Sequence, residues 1–515
     1  MNALAIDLGT TAAKVSVVSR QGRVLGSGTE PVETVFGPQK AAEQDPEQVW
    51  RAVLSAARNA LAQAGDAEAN AVGVVCATSQ WSSIIPVDRA GLPVGPMFVW
   101  LDRRGENFTE ALRSAGPDGG QATLSHWADI HGLYPSTSLA HLLYAQNERP
   151  EIHDRTYAYL EPADYLNARL SGRIAATGCT AMPLSLTDNR TLGDVTWSDD
   201  LIARAGVDAS KLPPLVASLS TLGPLLPDVA AELGLRPGTL VVAGANDSVA
   251  AAIGTDALAP GRGTVIMGTT GVLTAHHARR VVDPSKFVVT MPSALSDRFY
   301  VMAEAGLGGK VLETFLSGIF YGDEGPATAN PPADLFGQID ATLKDVPTGS
   351  DGVIFLPWLV GSLAPKIDGR HRGAFLGMSM RTTRAHMLRA VLEGISLQMR
   401  WLLDEVALSL GVPFDMVRFA GGGAQSDDWA QTMADVLGRT VEQVEGPRHA
   451  NARGAGMLGF LSLGELGIDD LAACVPIRRR FEPVPAHQAL FDERILVYRD
   501  LHERLAEPVS RLTGR

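Results

Sequence analysis

The segment ALAIDLGTTAAKVSVVS, Ala3 to Ser19, constrains this chain more than any other. An apolar strand ending at Leu8 runs through Gly9-Thr10-Thr11 into a second strand, marked by Val15, Val17 and Val18. Gln21-Gly22 then turns the chain into a third. In a Walker loop or a dinucleotide fingerprint the glycine turn feeds a helix whose N-terminus receives the phosphates, so strand-turn-strand is a different device. It recurs as GTVIMGTTGVLTA, Gly263 to Ala275, which suggests duplication of one domain type.

At 515 residues the chain exceeds what one hydrophobic core organises, and two domains of similar size are expected. A net charge of -13 repels polyanions, which excludes nucleic acid and anionic membrane surfaces as partners. The run Arg478-Arg479-Arg480 reads as a solvated surface stretch, because nothing aromatic or basic extends it. Cys76, Cys179 and Cys474 are far apart and lack metal or redox spacing, so they read as buried small apolar residues in a reducing compartment. With no leader pattern and no bilayer-length apolar run, the expected location is cytoplasmic.

Strand and helix signals alternate in both halves, which makes the protein α/β with two sheets. EQDPEQVWRAVLSAARNALAQAG predicts a helix with Asp45 as N-cap, Pro46 at its first position and Gln48 closing a capping box. AVGVVCAT predicts a buried strand opening into SQWSS, and TLVVAGANDSVAAAIG a strand, turn and helix. MVRFAGGGAQSDDWAQTMADVLGRTVEQVE predicts strand, triple-glycine turn, helix capped by Ser426, and strand; ARGAGMLGFLSLGEL follows as a helix of small residues. The region from Gly105 to Asp228 has no repeating strand signal and is expected to elaborate the first domain.

Several residues at these strand ends suit phosphate chemistry. Asp7 would reach the mouth of the first turn, where its carboxylate can hold magnesium through water or merely cap the turn. Backbone amides and threonine hydroxyls of Thr10-Thr11 and of Gly268-Thr269-Thr270-Gly271 can bond phosphate oxygens, so the two turns together could clamp a triphosphate. Asp247 follows a strand and opens a helix; an ionised carboxylate there can accept a hydroxyl proton, and the plainer reading is a helix N-cap. Gly421-Gly422-Gly423 permits close packing against a flat ring such as adenine, or is simply a tight turn. GLGGKV around Lys310 lacks Walker spacing and reads as a helix start or glycine turn, and the scattered histidines predict no metal site.

AIDLGTTAAKV, EQDPEQVW, VWLDRR, GANDSVAAAIG, IMGTTGV, AVLEGIS and FAGGGAQSDDWAQTMADVLGRTVE, in order along nearly the whole chain, resemble the FGGY carbohydrate kinases, most of all their xylulokinase branch. The resemblance implies two ribonuclease-H-like domains of the actin and hexokinase superfold around a central cleft. Residues 1–247 would form the sugar-binding domain with the first phosphate turn, and 248–515 the nucleotide-binding domain. It further implies ATP and magnesium, with Asp7 toward the metal and Asp247 as catalytic base. Thr10, Thr11, Lys14, Gly268, Thr269, Thr270, Gly421, Gly422, Gly423, Ala424 and Asp427 would face the nucleotide. Gln80, Trp81, Ser82, Asp102, Asp247 and Ser248 are the candidates for the sugar site. The departures fall on sugar-reading parts: Gln80-Trp81-Ser82-Ser83 stands where xylulokinases carry Gln-Met-His-Gly, Gly361-Ser362-Leu363 where the family has Gly-Glu-Arg, and His141 where its lysine is expected. The expected reaction is ATP-dependent phosphorylation of a terminal hydroxyl of a small sugar or polyol, a pentulose such as D-xylulose first. Alternatives are glycerol, a tetritol or gluconate as acceptor, or a non-metabolic actin-like ATPase or sugar-binding sensor. The partner is thus a small molecule, with a homodimer as one assembly open to the chain.

Overall fold

The computed structural model describes residues 1–283, 286, 288–320 and 335–513. Two sheets organise it, and strands are numbered here by their membership in them. The first contains β1 (Asn2–Leu8), β2 (Ala12–Ser19), β3 (Val24–Pro31), β4 (Val72–Ser79), β5 (Thr221–Pro224) and β6 (Leu240–Asn246), in the order β5-β6-β4-β1-β2-β3. The opening segment forms the antiparallel meander β1-β2-β3, with Asp7 opposite Lys14, and β4 and β6 extend the sheet in parallel. The second sheet contains β7 (Arg262–Met267), β8 (Thr270–His277), β9 (Val282–Asp283), β10 (Val288–Pro292), β11 (Phe299–Leu307), β12 (Met416–Ala420), β13 (Thr440–Val444) and β14 (Ile477–Phe481). Its order is β9-β10-β11-β8-β7-β12-β13-β14. The run β11-β8-β7-β12-β13-β14 repeats the first sheet strand for strand: an antiparallel meander, two parallel strands, one antiparallel edge. The repeated Gly-Thr-Thr device is therefore the visible part of a repeated topology.

Helices cover the sheets. The outer face of the first is packed by α1 (Pro46–Ala64), which starts as its sequence predicts: Asp45 accepts from the Glu47 amide and Pro46 takes the first position. Gln48 closes no capping box; its amide instead donates to the Pro31 carbonyl at 3.2 Å. Valines and leucines of the second sheet's outer face pack under α3 (Arg384–Leu410) and α4 (Asp427–Leu437), the latter capped by Ser426 and stopped at Gly438 with φ +64°. No helix among the described residues is long and apolar enough to cross a membrane. All three cysteines are free and buried.

Between the sheets lies a third core, built by α2 (Asp247–Gly254) and α5 (Ala450–Ser462) with residues from both sheets: Ala3, Ala5, Val74 and Cys76 on one side, Val289, Met291 and Tyr300 on the other. The two helices touch backbone to backbone. A Cβ at Gly254 would sit 2.0 Å from the Ala450 carbonyl oxygen, and one at Gly454 would sit 1.8 Å from that of Ala250. This explains the small residues of ARGAGMLG: α5 lies on the first sheet and must also admit α2.

A last helix, α6 (Gln488–Thr513), ties the C-terminus onto the second half. Its His502 is enclosed by Trp358, Trp401 and His371, with the two imidazole centroids 4.1 Å apart and Nε2 bonded to the Ser362 hydroxyl at 2.8 Å. Burial first, then the His371 ring, pushes the His502 imidazole down to about 4.

Two predictions follow from this packing. Gly454→Ala forces the helices apart at a place with no flexible side chain to yield. It should cost about 1–3 kcal/mol or more, read as a lower Tm in thermal unfolding; an unchanged Tm would mean that the crossing is not close. His502 takes a proton near about 6.5 when unfolded but only near about 4 when folded. Its contribution to stability is thus complete above the unfolded value and is lost as pH falls toward the folded one. Between about pH 7.5 and about pH 5, Tm should fall more in the natural protein than in His502→Gln. Equal falls would show that this cluster does not carry acid sensitivity.

Candidate active site

Three neighbouring parallel strands of the first sheet end together. Asp7 lies opposite Thr78, Leu8 opposite Ser79, and Asn246 opposite Ser79. The carboxyl ends of β1, β4 and β6 thereby bring Asp7, Gln80 and Asp247 to one edge, the usual place for ligands in sheets of this kind.

Asp7 is buried; Lys14 Nζ lies 3.8 Å from its Oδ2, and the Asn451 amide, from the first turn of α5, reaches its Oδ1 at 3.3 Å. Burial raises its carboxyl above the usual range, against the opposing pull of Lys14 and Asn451. Asp247 is the first helical residue of α2 and not its cap. Asn246 does the capping, accepting from the Val249 amide at 3.0 Å and from the Ser248 hydroxyl at 3.1 Å. Asp247 is thus free to face the cleft, with the Ser248 amide donating to its Oδ1 at 2.7 Å. Burial, then the charge of Asp7, pushes its carboxyl up to about 7. A carboxyl raised in this way by burial and by a neighbouring acid is suited to taking a proton from a bound hydroxyl.

The first turn and the loop after β4 are wired to each other. The Thr10 hydroxyl donates to Gln80 Oε1 at 2.6 Å and accepts from Trp100 Nε1 at 2.9 Å. Gln44 donates to the Thr10 carbonyl at 2.7 Å and receives Gln80 Nε2 at 3.3 Å. Thr10 therefore spends its hydroxyl on Gln80, whereas Thr11 is exposed. Trp81 packs against the core between the sheets. Ser82 has φ +59°, a left-handed conformation unusual for any residue but glycine, and Ser83 is buried with its hydroxyl accepting from the Trp100 amide at 3.1 Å.

Asp102, a candidate for the sugar site, also has partners within the chain. Its carboxylate accepts from the Ala42 amide at 3.0 Å, the Arg104 amide at 3.0 Å and the Arg104 guanidinium at 2.5 Å. Burial alone would raise it, but Arg104 and these amides hold it below the ordinary carboxylate value. It braces the loop from within. His141 donates from Nε2 to the Asp102 carbonyl at 3.1 Å, joining the same brace.

In the second half the Gly268 amide bonds the Thr270 carbonyl at 3.0 Å, as Gly9 bonds Ala12 in the first. The Gly268 and Thr269 carbonyls accept the amides of Gly309, Gly308 and Lys310, so GLGGKV is a helix start seated on the turn. Of the triple glycine, Gly421 and Gly423 are required by packing: a Cβ would meet the Met267 carbonyl at 2.6 Å in one case and the Met267 side chain at 2.7 Å in the other. A Cβ at Gly422 would meet nothing nearer than the Met267 carbonyl oxygen at 4.0 Å, so this is the one with an open face. Ala424 is buried, with its carbonyl accepting from Gln443, and Asp427 is paired with Arg478 and Arg479 at 3.0 and 2.9 Å. The basic run on β14 is thus an exposed strand neutralised by acids.

Gln44, Trp100, Asn451 and Glu161, which lies beneath Ser83, belong to this site and were not legible as such. Trp100 stood inside the quoted VWLDRR, but nothing local distinguishes its indole from a core one.

A family description of the FGGY carbohydrate kinases matches residues 2–254 with its N-terminal domain and 263–463 with its C-terminal domain. The chain is 27% identical over 497 residues to the xylulose kinase of Bacillus subtilis (strain 168), covering 95% of each. It is 25% identical over 463 residues to the gluconokinase of the same organism, covering 90% of this chain and 88% of that one. Among solved structures, a ligand-bound xylulose kinase and a gluconate kinase, both from Lactobacillus acidophilus, superpose with TM-score 0.84 at 20% identity over 99% of each chain. The fold is that of these kinases, two ribonuclease-H-like domains of the actin and hexokinase superfold.

If Asp247 is the proton acceptor, Asp247→Asn should lower kcat by at least about 100-fold while leaving ligand affinities within a small factor, because the amide keeps the shape and loses the base. A kcat near that of the natural protein would remove Asp247 from this role.

Proposed function

The chain belongs to the FGGY family of carbohydrate kinases, and from that membership we propose that it transfers the terminal phosphoryl group of ATP to a terminal hydroxyl of a pentulose such as D-xylulose. The observation that carries the reading is the pairing of Asp247, at the head of α2, with Asp7 and the Gly-Thr-Thr turn beside it on one sheet edge.

The donor set fits magnesium. Asp7 offers hard carboxylate oxygens, and Asp247 raises the local negative charge that a cation would relieve. Among the described residues no three or more His, Cys, Asp or Glu gather into an all-protein cage, which matches an ion held by one carboxylate together with phosphate oxygens and water. When bound there, the ion would neutralise charge on the transferring phosphates. Everything else falls to the chain. The turns at Thr10-Thr11 and Gly268-Thr270 would offer backbone groups and the exposed hydroxyls of Thr11 and Thr269 to the triphosphate, with the open face of Gly422 toward the adenosine. Lys14 adds a positive charge at the mouth of the first turn. The acceptor oxygen forms its bond to the terminal phosphorus as its proton passes to Asp247, and the bond to the departing diphosphate breaks. In-line positioning and charge placement do most of this work.

A second acceptor class has its own support: gluconokinases are as similar in fold as xylulose kinases, and Ser82 replaces the ring-bearing residue of the xylulokinase loop. An aldonate is therefore the alternative acceptor. The discriminating experiment is a coupled ADP-release screen over pentuloses, hexuloses, pentitols, tetritols, glycerol and aldonates. Release that depends on a pentulose supports the proposal, release that depends on an aldonate moves it to the alternative, and release indifferent to every acceptor identifies an ATPase of the same superfold.

Specificity should move with the loop. A sugar hydroxyl left unpaired where the histidine would stand costs about 1–3 kcal/mol. Ser82→His, alone and with Trp81→Met, should then raise kcat/KM for xylulose relative to other acceptors. An unchanged ranking in both variants would show that residues 80–83 do not read the acceptor.

A further inference from the structure

Three of the seven buried acids have an arginine: Glu393 has Arg494, Asp102 has Arg104, and Asp256 has Arg262 and Arg418. Glu161 is 3% exposed and forms no ion pair with any described residue. It follows the strand Ala158–Leu160, which pairs with Ile85–Val87 so that Leu160 faces Ile85, and it precedes the helix Pro162–Ser171. It occupies the N-cap position of that helix, yet its side chain makes no capping bond. The carboxyl has turned away from the one local task open to it. A glutamate serving only its own helix would point to the first-turn amides.

It points instead at the loop that follows β4. Oε2 accepts from the Ser83 amide at 3.3 Å, with the Ser82 amide also directed at the carboxyl, and Oε1 accepts from the Ser138 hydroxyl at 2.5 Å. Ser82, whose amide and following amide converge there, is the residue held at φ +59°. A non-glycine residue in that region is strained by about 1–3 kcal/mol and persists only where its surroundings hold it. The hydrogen bonds then close a ring. Ser83 receives the Trp100 amide, the Trp100 indole donates to Thr10, and Thr10 donates to Gln80 at the start of the same loop.

We propose that Glu161 is a positioning residue for the phosphate acceptor: it holds Ser82 in its left-handed conformation and so fixes which acceptor hydroxyls residues 80–83 can meet. This rests on the reading above that the loop contacts the acceptor. Glu161 itself touches no reacting atom, so the triphosphate side and the proton transfer to Asp247 are not in its reach.

The test is steady-state kinetics of Glu161→Ala, Glu161→Leu and Glu161→Gln with the best acceptor from the screen. Loss of one positioning contact corresponds to about a tenfold change. Ala and Leu should raise KM for the acceptor by about that factor, with KM for ATP and kcat held within about twofold. Gln, which can still accept the amides, should behave as the natural protein. Adding Ser82→Gly to the Leu variant should bring the acceptor KM to that of Ser82→Gly alone, because glycine adopts positive φ without support and Glu161 then has nothing left to hold. The leucine fills the volume of the glutamate, so it keeps the test open if the alanine variant does not fold. The proposal is overturned if acceptor KM is unchanged in the folded variants, if KM for ATP and kcat shift with it, or if the Leu variant carrying Ser82→Gly keeps an acceptor KM about tenfold above that of Ser82→Gly alone. Those failures are separable from failure of the loop reading. If Ser82→His with Trp81→Met changes the acceptor ranking while the Glu161 variants do not, only the present proposal falls; if neither set changes it, the loop is not the reader.

Discussion

The backbone contact between α2 and α5 is the constraint on which the rest of this structure depends. Gly254 and Gly454 let the two helices lie closer than any side chain would permit, and their pair fills the space between the sheets. Asp247 stands at the N-terminal end of α2, so whatever fixes that helix also fixes the proposed base. The opposite end is held by two buried arginines. Arg453 donates to the carbonyls of Gly22, Gly254 and Glu445, and Arg418 donates to that of Thr255. Positive charge at a helix C-terminus is favourable, and here it also spans the halves: Gly22 belongs to the first sheet's meander, Glu445 to the end of β13. Burial lowers the Arg453 guanidinium to about 10, which still leaves it charged. α2 is thereby a strut pinned at one end and carrying the proposed base at the other.

Such an arrangement leaves the strand ends on either side of the crossing as separate rigid units. Sheets joined through one close helix crossing can pivot about it while the strand ends on either side keep their internal geometry. Asn451 marks the junction, since it sits at the start of α5, in the second half of the chain, and reaches Asp7 in the first. A change in the angle between the halves would be felt first at that contact and at Arg453.

What the sequence disclosed was local. The strand-turn-strand device, its second copy, the caps at Asp45 and Ser426, and the stop at Gly438 each depend on residues within a few positions, and each is found as expected. What it concealed depends on partners far along the chain. Asp247 resembled a cap because an acid at a helix start usually is one, and only the strand register shows that Asn246 took that task. Gln48 had the spacing of a capping box but found the Pro31 carbonyl first. Asp102 carried no sign of its partners within the chain, Ala42 and Arg104, one of them sixty residues away. Glu161 and Arg453 carried no local signal, since a lone acid before a proline and an arginine among glycines owe their roles to Ser83 and Gly22.

The two sides of the cleft are made of different material, which explains why one is easier to read. On the proposed phosphate side the Gly-Thr-Thr turns and the triple glycine offer backbone groups and the absence of side chains, so their sequence is narrowly set by close approaches such as Gly421 on Met267. The proposed acceptor side is a web of side chains, Gln44, Gln80, Thr10, Trp100, Ser83 and Glu161, in which each member satisfies another. A web of that kind can exchange members as a group while keeping its buried polar atoms paired, because the cost of burial falls on unpaired atoms and not on any particular residue. The phosphoryl-transfer edge can then remain constant while the acceptor loop changes shape beside it. Thr10 sits in both, its backbone in the turn and its hydroxyl in the web, and it is the point at which a change of acceptor would be transmitted to the phosphates.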